Sequence, residues 1–497
     1  MTLLPALAAG AGITLALAPF DLKLLILLGP ALLYLIQRHQ TPRQAIVSGY
    51  CFGLGFWGAG ASWVYVSINT YGNASPLLAG LLTSLFVMAL ALLFAVQGWL
   101  FARLAHTAGQ RWLLFCAVWV GFEWLRSWFL TGFPWLYLGY AALDTPLERW
   151  APLAGVWGLS LILLLLATGA ARVLADRKWL PLLPGVLLAA GSLLLPQHWT
   201  HPTASPALRV VLVQPNIPQL QKWQPDQLGN ILHHQIQLSL PHTDADLLIW
   251  PETAIPATFN RAIPMLGPFL DQLDRQSISL ISGFPYAEAD PDSPYGQRFH
   301  NSLGVFSSGN DLYHKQRLVP FGEYVPLEKQ LRGVIDFFNL PMSSFSLPQD
   351  NTDALQLNGM RIAPAICYEI AYPQLVKHLA EDSGIMLTVS NDTWFGRSIA
   401  PEQHLQIARM RALENGRWLL RGTNNGYTAL IDPQGKISAQ APLDTATTLT
   451  GQIQPMQGST PWQRFGTWPI LAALVALLLL AYWRPGQRNP LENHRTT

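Results

Sequence analysis

The chain has 497 residues, of which 50% are hydrophobic and only 12% are charged. Soluble domains usually carry about 25% charged residues, so this composition excludes a wholly soluble protein. The formal net charge of +2 is too small to indicate a nucleic acid partner. Charge is also unevenly distributed. Residues 1–200, called here the membrane region, contain little of it, whereas residues 207–455, the polar domain, resemble an ordinary soluble domain.

A helix that crosses the hydrocarbon core of a bilayer needs about 20 apolar residues. The sequence predicts roughly eight such segments, about seven of them in the membrane region. Their approximate bounds are 3–20, 22–37, 44–67, 76–104, 112–130, 153–175, 179–196 and 467–483. Only a turn from Pro19 to Asp21 separates the first two, so their limits are the least defined. We expect no cleaved signal peptide, because the N-terminus lacks a basic region and a small-residue cleavage site followed by a polar chain.

The short loops predict the orientation, because Lys and Arg accumulate on the cytoplasmic side of a membrane. The loops after the second, fourth and sixth segments and the C-terminal tail are basic; they contain Arg38, Arg43, Arg103, Arg111, Arg172, Arg177, Lys178, Arg484, Arg488 and Arg495. The opposite loops carry only Lys23, Arg126 and Arg149. The pattern predicts that both termini are cytoplasmic, with a tail at 484–497, and that the polar domain lies outside the cytoplasm.

The connection between the fifth and sixth segments, which begins TGFPW at Thr131, is rich in Trp and Tyr. Such residues often form a belt at the membrane–water interface. A role in lipid entry is the alternative interpretation. Just before this connection, Glu123 and Arg126 have the spacing of a local helical ion pair.

Short apolar runs alternate with helical stretches in the polar domain. The predicted strands are 208–213, 247–250, 279–282, 302–306, 362–367 and 385–390, and the predicted helices are 226–240 and 403–414. Strands that alternate with helices indicate a layered α/β fold.

Three short segments of the polar domain carry side chains that could do chemistry. The first, WPE, ends in Glu252 just after an apolar strand, where a proline stops strand pairing. The second, HKQRLVPFGEYVP, has the prolines and glycine of an irregular loop that displays Lys315 and Glu323. The third, AICYE, places Cys367 at the end of a strand, where the sites of α/β proteins collect.

Each of these residues alone has an ordinary structural explanation. A lone cysteine is usually inert when buried, and a lone glutamate or lysine is usually solvated. Cys51 and Cys116 lie in apolar runs, where they serve as small hydrophobic residues. Cys367 has no cysteine partner in its domain, so it is either an inert residue or a reactive thiol. The three segments together in one domain favour the reactive thiol.

Together the three segments resemble the nitrilase, or carbon–nitrogen hydrolase, superfamily. The resemblance implies an α-β-β-α sandwich with a Glu-Lys-Cys triad. By this resemblance, Glu252 is the general base, Lys315 stabilises the oxyanion and Cys367 is the nucleophile, while Glu323 is a second carboxylate that orients the site. A nearby ammonium group is expected to lower the thiol pKa. No cofactor and no metal are expected.

The full length resembles the apolipoprotein N-acyltransferase family, in which several apolar segments precede a nitrilase-like domain and one more follows it. Strings that carry this resemblance lie at 63–68, 131–135, 340–346, 390–396, 409–414 and 423–426. The resemblance implies a bacterial inner-membrane protein with a periplasmic catalytic domain. It implies ping-pong transfer of an acyl chain from a phospholipid, with phosphatidylethanolamine as the expected donor, through a thioester to the N-terminal amine of a diacylated lipoprotein.

The same resemblance gives four substrate-binding residues: Trp223, Asn301 and Tyr368 near the acyl and substrate path, and Glu369 as a support for the loop of Cys367. Surface packing is the alternative for Trp223, and a turn residue is the alternative for Asn301. The apolar segment at 337–342 is a candidate lipid contact, with a core-facing loop as the alternative. A membrane-tethered amidase that uses water is the alternative enzyme, although a tether needs only one span. A non-catalytic lipoprotein-binding or transport protein is the alternative outside enzymes, and the intact Glu252, Lys315 and Cys367 argue against it.

Overall fold

The computed structural model describes residues 2–482, apart from 106, 292–295, 308, 310, 326–344 and 351–352. The helices that flank the polar domain are Leu3–Thr14, Leu25–Gln37, Pro42–Gly60, Pro76–Leu104, Ala108–Leu125, Ala151–Asp176, Leu183–Gly191 and Trp468–Tyr482. Each predicted apolar segment overlaps one of them.

Two stretches, Pro76–Leu104 and Pro146–Asp176, are long and apolar enough to cross a bilayer, and Pro42–Gly60 with Val64–Tyr71 would form a bent third span. Four further apolar helices are shorter: Leu3–Thr14, Leu25–Gln37, Leu180–Leu194 and Trp468–Tyr482. The count of about eight spans therefore stays a prediction.

The loops of the membrane region gather at two opposite ends. Arg38, after the second helix, pairs with Asp176, which ends a later helix, at 2.7 Å. At the other end Asp144 pairs with Arg409 at 2.6 Å and with Lys436 at 2.8 Å, both in the polar domain. The polar domain therefore sits on one end of the helical region.

The polar domain and the residues that flank it contain the strands β1 (His201–Pro202), β2 (Leu208–Gln214), β3 (Leu247–Ile249), β4 (Ser279–Ala289), β5 (Gln297–Phe306), β6 (Leu312–His314), β7 (Leu355–Leu357), β8 (Met360–Ile366), β9 (Ile385–Ser390), β10 (Leu419–Thr423), β11 (Ala429–Ile431), β12 (Ile437–Gln440), β13 (Thr447–Ile453) and β14 (Met456–Gln457). The first and last of these lie just outside the predicted bounds of the domain. One six-stranded sheet has the order β13-β2-β3-β4-β5-β6, and the other has the order β12-β11-β10-β9-β8-β7. A two-stranded sheet pairs β1 with β14. The strands β2, β3 and β4 are parallel, as are β8, β9 and β10.

The two large sheets pack face to face. Alternate side chains of a strand point to opposite faces of its sheet, so each strand contributes to two different cores. On β2, Val210 and Leu212 join the core that includes the second sheet, whereas Val211 and Val213 join a separate core with two helices. Those helices are Leu228–Ser239 and Phe259–Arg275, while Pro373–Leu379 and Ala400–Asn415 pack on the other sheet. The predicted α-β-β-α fold class is confirmed.

The sequence missed several elements of this sandwich. The helix Phe259–Arg275 contains Pro264 and Pro268, which usually interrupt helices. The strands β4 and β5 are longer than the apolar runs that predicted them. Their outer ends were missed because they are polar; Arg298, for example, bonds to Asp290 there. The shorter helix Gln219–Lys222 was also missed.

The aromatic connection after the fifth helix is largely buried. Trp135, Tyr137 and Tyr140 are within the core, so this part is not a belt that faces lipid headgroups. Arg126 donates to the carbonyl oxygens of Trp135 and Leu136, and it lies 3.7 Å from Glu123, the local ion pair that the sequence suggested.

The helix Ala151–Asp176 is broken at Gly155, which has a φ of +64°. A side chain there would collide with the ring of Trp462. The break leaves the amide of Val156 without its helical acceptor, and Glu414 Oε1 of the polar domain accepts its hydrogen bond at 2.7 Å. A carboxylate of one part of the chain thus completes a helix of the other.

Candidate active site

Three of the predicted site residues follow the ends of strands, and a fourth lies within a strand. Glu252 comes after β3, Lys315 after β6 and Cys367 after β8, whereas Asn301 lies within β5. The fold brings the first three to one end of the sandwich because their strands end there. These three segments, far apart in sequence, therefore meet as predicted.

An ammonium group and two carboxylates form the buried centre of this site. Lys315 Nζ donates to Glu323 Oε1 at 2.8 Å and lies 3.5 Å from Glu252 Oε1. The Asn301 amide nitrogen donates to both carboxylates, at 2.8 Å to Glu252 and 2.9 Å to Glu323. Because two carboxylates surround one cation, the cluster holds Lys315 in a fixed position.

Backbone amides bind the other oxygens of these carboxylates. Asn391 N donates to Glu252 Oε2, and Val319 N donates to Glu323 Oε2, each at 2.8 Å. Burial alone would lower the pKa of Lys315, but Glu323 and Glu252 outweigh it, and the pKa is raised. Lys315 therefore stays charged at neutral pH.

Cys367 is half-buried, and its backbone is left-handed, with a φ of +54°. Non-glycine residues in this region are uncommon and concentrate at functional positions. Burial and the Glu252 carboxylate raise the pKa of the Cys367 thiol, and Lys315 opposes them only in part. The ammonium group lowers the thiol pKa as expected, but burial and Glu252 outweigh it, so the net pKa is raised. The resting thiol is protonated and needs a base.

Glu369 connects the loop that contains Cys367, called here the cysteine loop, to the loop that contains Lys315. It accepts hydrogen bonds from Ile366 N at 2.8 Å, from Gln316 N at 2.6 Å and from the Tyr313 hydroxyl at 3.0 Å. Burial raises its pKa to about 7, although these donors and Lys315 oppose the shift. Its contacts are structural, so a role in substrate binding stays a prediction.

The other three residues predicted to bind substrate, Tyr368, Trp223 and Asn301, have different surroundings. The Tyr368 hydroxyl donates to the carbonyl oxygen of Gly132, and its ring stacks on Trp135 of the membrane region. Trp223 packs in a hydrophobic cluster with Leu318 and Phe345. Asn301 contacts the carboxylates, as described above. Their roles in substrate binding stay predictions.

Several polar residues around the site were not singled out by the sequence. Lys222 is buried, and its Nζ donates to the carbonyl oxygen of Glu252 at 2.9 Å. Asp392, His404 and Arg421 form a second buried network beside the cysteine loop. The sequence did offer one indication of this network: Asp392 comes just after the strand β9, and site residues often lie at strand ends. The apolar segment at 337–342 lies outside the described residues.

A metal site requires a cluster of ligating side chains. Among the residues that the structure describes, no group of three or more His, Cys, Asp or Glu side chains could hold a metal ion. The polar groups of the site instead bind one another.

Residues 9–169 match the family described as apolipoprotein N-acyltransferase N-terminal domain, and residues 209–461 match carbon-nitrogen hydrolase. The apolipoprotein N-acyltransferase of Pseudomonas syringae pv. tomato is 47% identical, over 96% of this chain and 95% of the relative. That of Pseudomonas aeruginosa is also 47% identical, over 98% of this chain and 96% of the relative. This chain belongs to the apolipoprotein N-acyltransferase family. The resemblance inferred from the motifs is confirmed over the full length.

Among solved structures, the nitrilase-superfamily protein Nit3 of Saccharomyces cerevisiae aligns with 58% of this chain and 100% of its own, at 16% identity and a TM-score of 0.38. The membership of the apolipoprotein N-acyltransferase family rests on the sequence relatives and on both matched regions.

Proposed function

We propose that this protein transfers a fatty acyl chain from a phospholipid, through a thioester on Cys367, to the N-terminal amine of a diacylglyceryl-cysteine lipoprotein. The observation that carries the proposal is the full-length relationship to enzymes named for this reaction. The charged cluster beside Cys367 supports it, because its groups match the needs of acyl transfer through a thiol.

In the acylation step, Glu252 takes the proton of the Cys367 thiol, and the thiolate attacks the ester carbonyl of the phospholipid. The carbonyl oxygen becomes an oxyanion that the Lys315 ammonium stabilises; losing such a donor typically reduces the rate by about 10²–10³. When the ester C–O bond breaks, Glu252 returns the proton to the alkoxide. The products are a lysophospholipid and a thioester on Cys367.

In the second step, the α-amine of the lipoprotein attacks the thioester carbonyl. Glu252 accepts a proton from the nitrogen, and the C–S bond breaks to form the amide. The thiolate then recovers the proton. Glu323 and Asn301 hold Lys315 and Glu252 in place during both steps, which is consistent with their mutual bonds of 2.8–2.9 Å.

We further propose phosphatidylethanolamine as the donor, with transfer of its sn-1 chain, by analogy with the family. The polar domain is proposed to lie in the periplasm of a bacterial inner-membrane protein, with both termini in the cytoplasm. The pairing of Arg38 with Asp176 at the end far from the polar domain supports this orientation, because the basic loops lie there.

Incubation with phosphatidylethanolamine alone tests this function by mass spectrometry of the intact protein. We expect an acyl adduct on Cys367 that persists without an acceptor and disappears when a diacylglyceryl-cysteine peptide is added. The Cys367→Ala variant is the control and should form no adduct. If the adduct decays at the same rate without peptide while free fatty acid accumulates, the protein is a hydrolase and the transferase proposal fails.

A further inference from the structure

His404 contacts the peptide that follows the nucleophile. It lies on the helix Ala400–Asn415 and is completely buried, with its Nε2 3.2 Å from the carbonyl oxygen of Cys367. Its other ring nitrogen, Nδ1, lies 3.1 Å from both Asp392 Oδ1 and Arg421 Nη2. The histidine therefore connects the nucleophile loop to a buried charged pair.

The contacts determine which ring nitrogen carries a proton. A carbonyl oxygen only accepts hydrogen bonds, so His404 Nε2 must donate to Cys367 O. Burial lowers the pKa of His404, and the Arg421 guanidinium lowers it further. Its hydrogen bonds to Asp392 and to Cys367 O oppose this shift. Nδ1 lies between Asp392 Oδ1 and Arg421 Nη2, and these two groups fix the position of the ring. Arg421 in turn is held by Asp392 Oδ2 at 2.7 Å.

This arrangement fixes the orientation of one peptide plane. The peptide between Cys367 and Tyr368 is planar and trans, so its C=O and N–H point in opposite directions. Because His404 holds the C=O, the N–H of Tyr368 points away from His404. The left-handed backbone of Cys367 makes this orientation unfavourable for the isolated chain, so it needs an external contact to be held.

We propose that His404 is a positioning residue that turns the Tyr368 N–H toward the reacting carbonyl, where this amide joins Lys315 in stabilising the oxyanion. His404 does not act as a base on the thiol, since its only nitrogen near the nucleophile loop faces the Cys367 carbonyl oxygen. Asp392 and Arg421 hold the ring of His404 in place. The inference rests on the proposed acyl transfer, and what it adds is the role of His404 in orienting this peptide.

Two reactions of the same thiol separate this role from a structural one. Acylation by phospholipid passes through an oxyanion, whereas alkylation by iodoacetamide displaces iodide and forms none. If His404 orients an oxyanion donor, its loss should slow acylation and leave alkylation unchanged. Both rates can be measured on the full-length protein in detergent, by mass spectrometry of Cys367 in single-turnover experiments.

The informative variants are His404→Gln and His404→Asn. The glutamine amide nitrogen reaches about as far as histidine Nε2 and can donate to Cys367 O, whereas the asparagine amide is too short to reach it. We expect acylation to fall about 10²-fold in H404N, the usual effect of losing an oxyanion donor. In H404Q it should fall less than about fivefold, a small part of that effect.

His234 provides a matched control, because its Nε2 also contacts a backbone carbonyl oxygen, that of Pro215 at 3.0 Å. His234→Asn should change neither rate. Equal losses of acylation and alkylation in H404N would overturn the proposal, because they would show a general distortion of the cysteine loop. Unchanged acylation in H404N would overturn it as well. A Cys367→Ala variant that still transfers acyl chains would instead refute the proposed function itself.

Discussion

The hydroxyl of Tyr368 donates a hydrogen bond to the carbonyl oxygen of Gly132 at 3.1 Å. The residue next to Cys367 is thereby bonded to the connection between two helices of the membrane region. The same connection accepts a second bond, from the Tyr372 hydroxyl to Thr131 O at 2.8 Å. Because the first bond lies beside the nucleophile, it should influence the reaction more than the second.

We therefore expect Tyr368→Phe to reduce the rate of acyl-enzyme formation about 3- to 10-fold, the range for loss of one neutral hydrogen bond. The phenylalanine keeps the ring that stacks on Trp135. Tyr372→Phe is the matched control, since it removes the same kind of bond further from Cys367, and it should change the rate less. Equal effects of the two variants would show that only docking of the two parts matters.

Cys367→Ser should keep the fold and reduce acyl transfer more than about 10³-fold. A serine hydroxyl is much less acidic than a thiol, so Glu252 cannot activate it equally well. Thermal unfolding and acyl transfer to a diacylglyceryl-cysteine peptide measure the two properties. Cys51→Ser, in the membrane region, is the control and should stay active. An unchanged melting curve with near-normal transfer by Cys367→Ser would contradict the nucleophile assignment.

Glu323→Gln should move the alkaline limit of activity to lower pH. Glu323 raises the pKa of Lys315, so the wild-type ammonium charge is kept until the pH passes this raised value. Without the carboxylate, the charge is lost at a lower pH. The measurement is kcat/KM from neutral to alkaline pH. Glu288→Gln, which removes a carboxylate bonded to His300 rather than to Lys315, should leave the limit unchanged. An identical limit in both variants would refute this account of Lys315.

Lys222→Met should remove a pH dependence of stability. Burial lowers the pKa of Lys222 to about 8, whereas an unfolded lysine titrates near about 10.4. Between these values the unfolded state binds more protons, so wild-type stability should rise with pH, by up to about 3 kcal/mol. Unfolding in detergent at several pH values measures this rise. The exposed Lys178→Met is the control, and a rise that persists in Lys222→Met would contradict the prediction.

Labelling with an impermeant maleimide tests the predicted orientation. In a Cys367→Ala background, Ser205→Cys places a thiol at an exposed position beside the polar domain, and Lys178→Cys places one at the opposite end of the helical region. We expect Ser205→Cys to react in intact spheroplasts and Lys178→Cys to react only after lysis. The reverse pattern would show that the topology is inverted.

The sequence predicted the parts of the site that combine a reactive side chain with a strand end or a stiff loop. Glu252, Lys315 and Cys367 were found this way, and the structure places them around one cluster. The resemblance to a family supplied their roles. The apolar segments were predicted by composition, because lipid imposes a simple requirement on helix length and polarity.

The rest depends on contacts between distant segments, which leave no local pattern. His404 lies in a helix that was predicted, but its partners, Cys367 and Asp392, come from two different strand ends. Lys222 is buried although lysine is usually exposed, so composition argued against it. The effect of burial on the pKa of the Cys367 thiol also required the structure. The sequence indicates a nearby cation, but it does not show how far the thiol is shielded from water.

The hydrogen bond from Val156 N to Glu414 Oε1 has a consequence for biogenesis. The two residues are 258 positions apart, so the broken helix is made long before its acceptor. Until the polar domain has folded against the helices, the amide at the break lacks this acceptor and must bond to water instead. Final packing of the membrane region is thus a late event, and a chain truncated before residue 414 should leave this helix open to quality-control proteases.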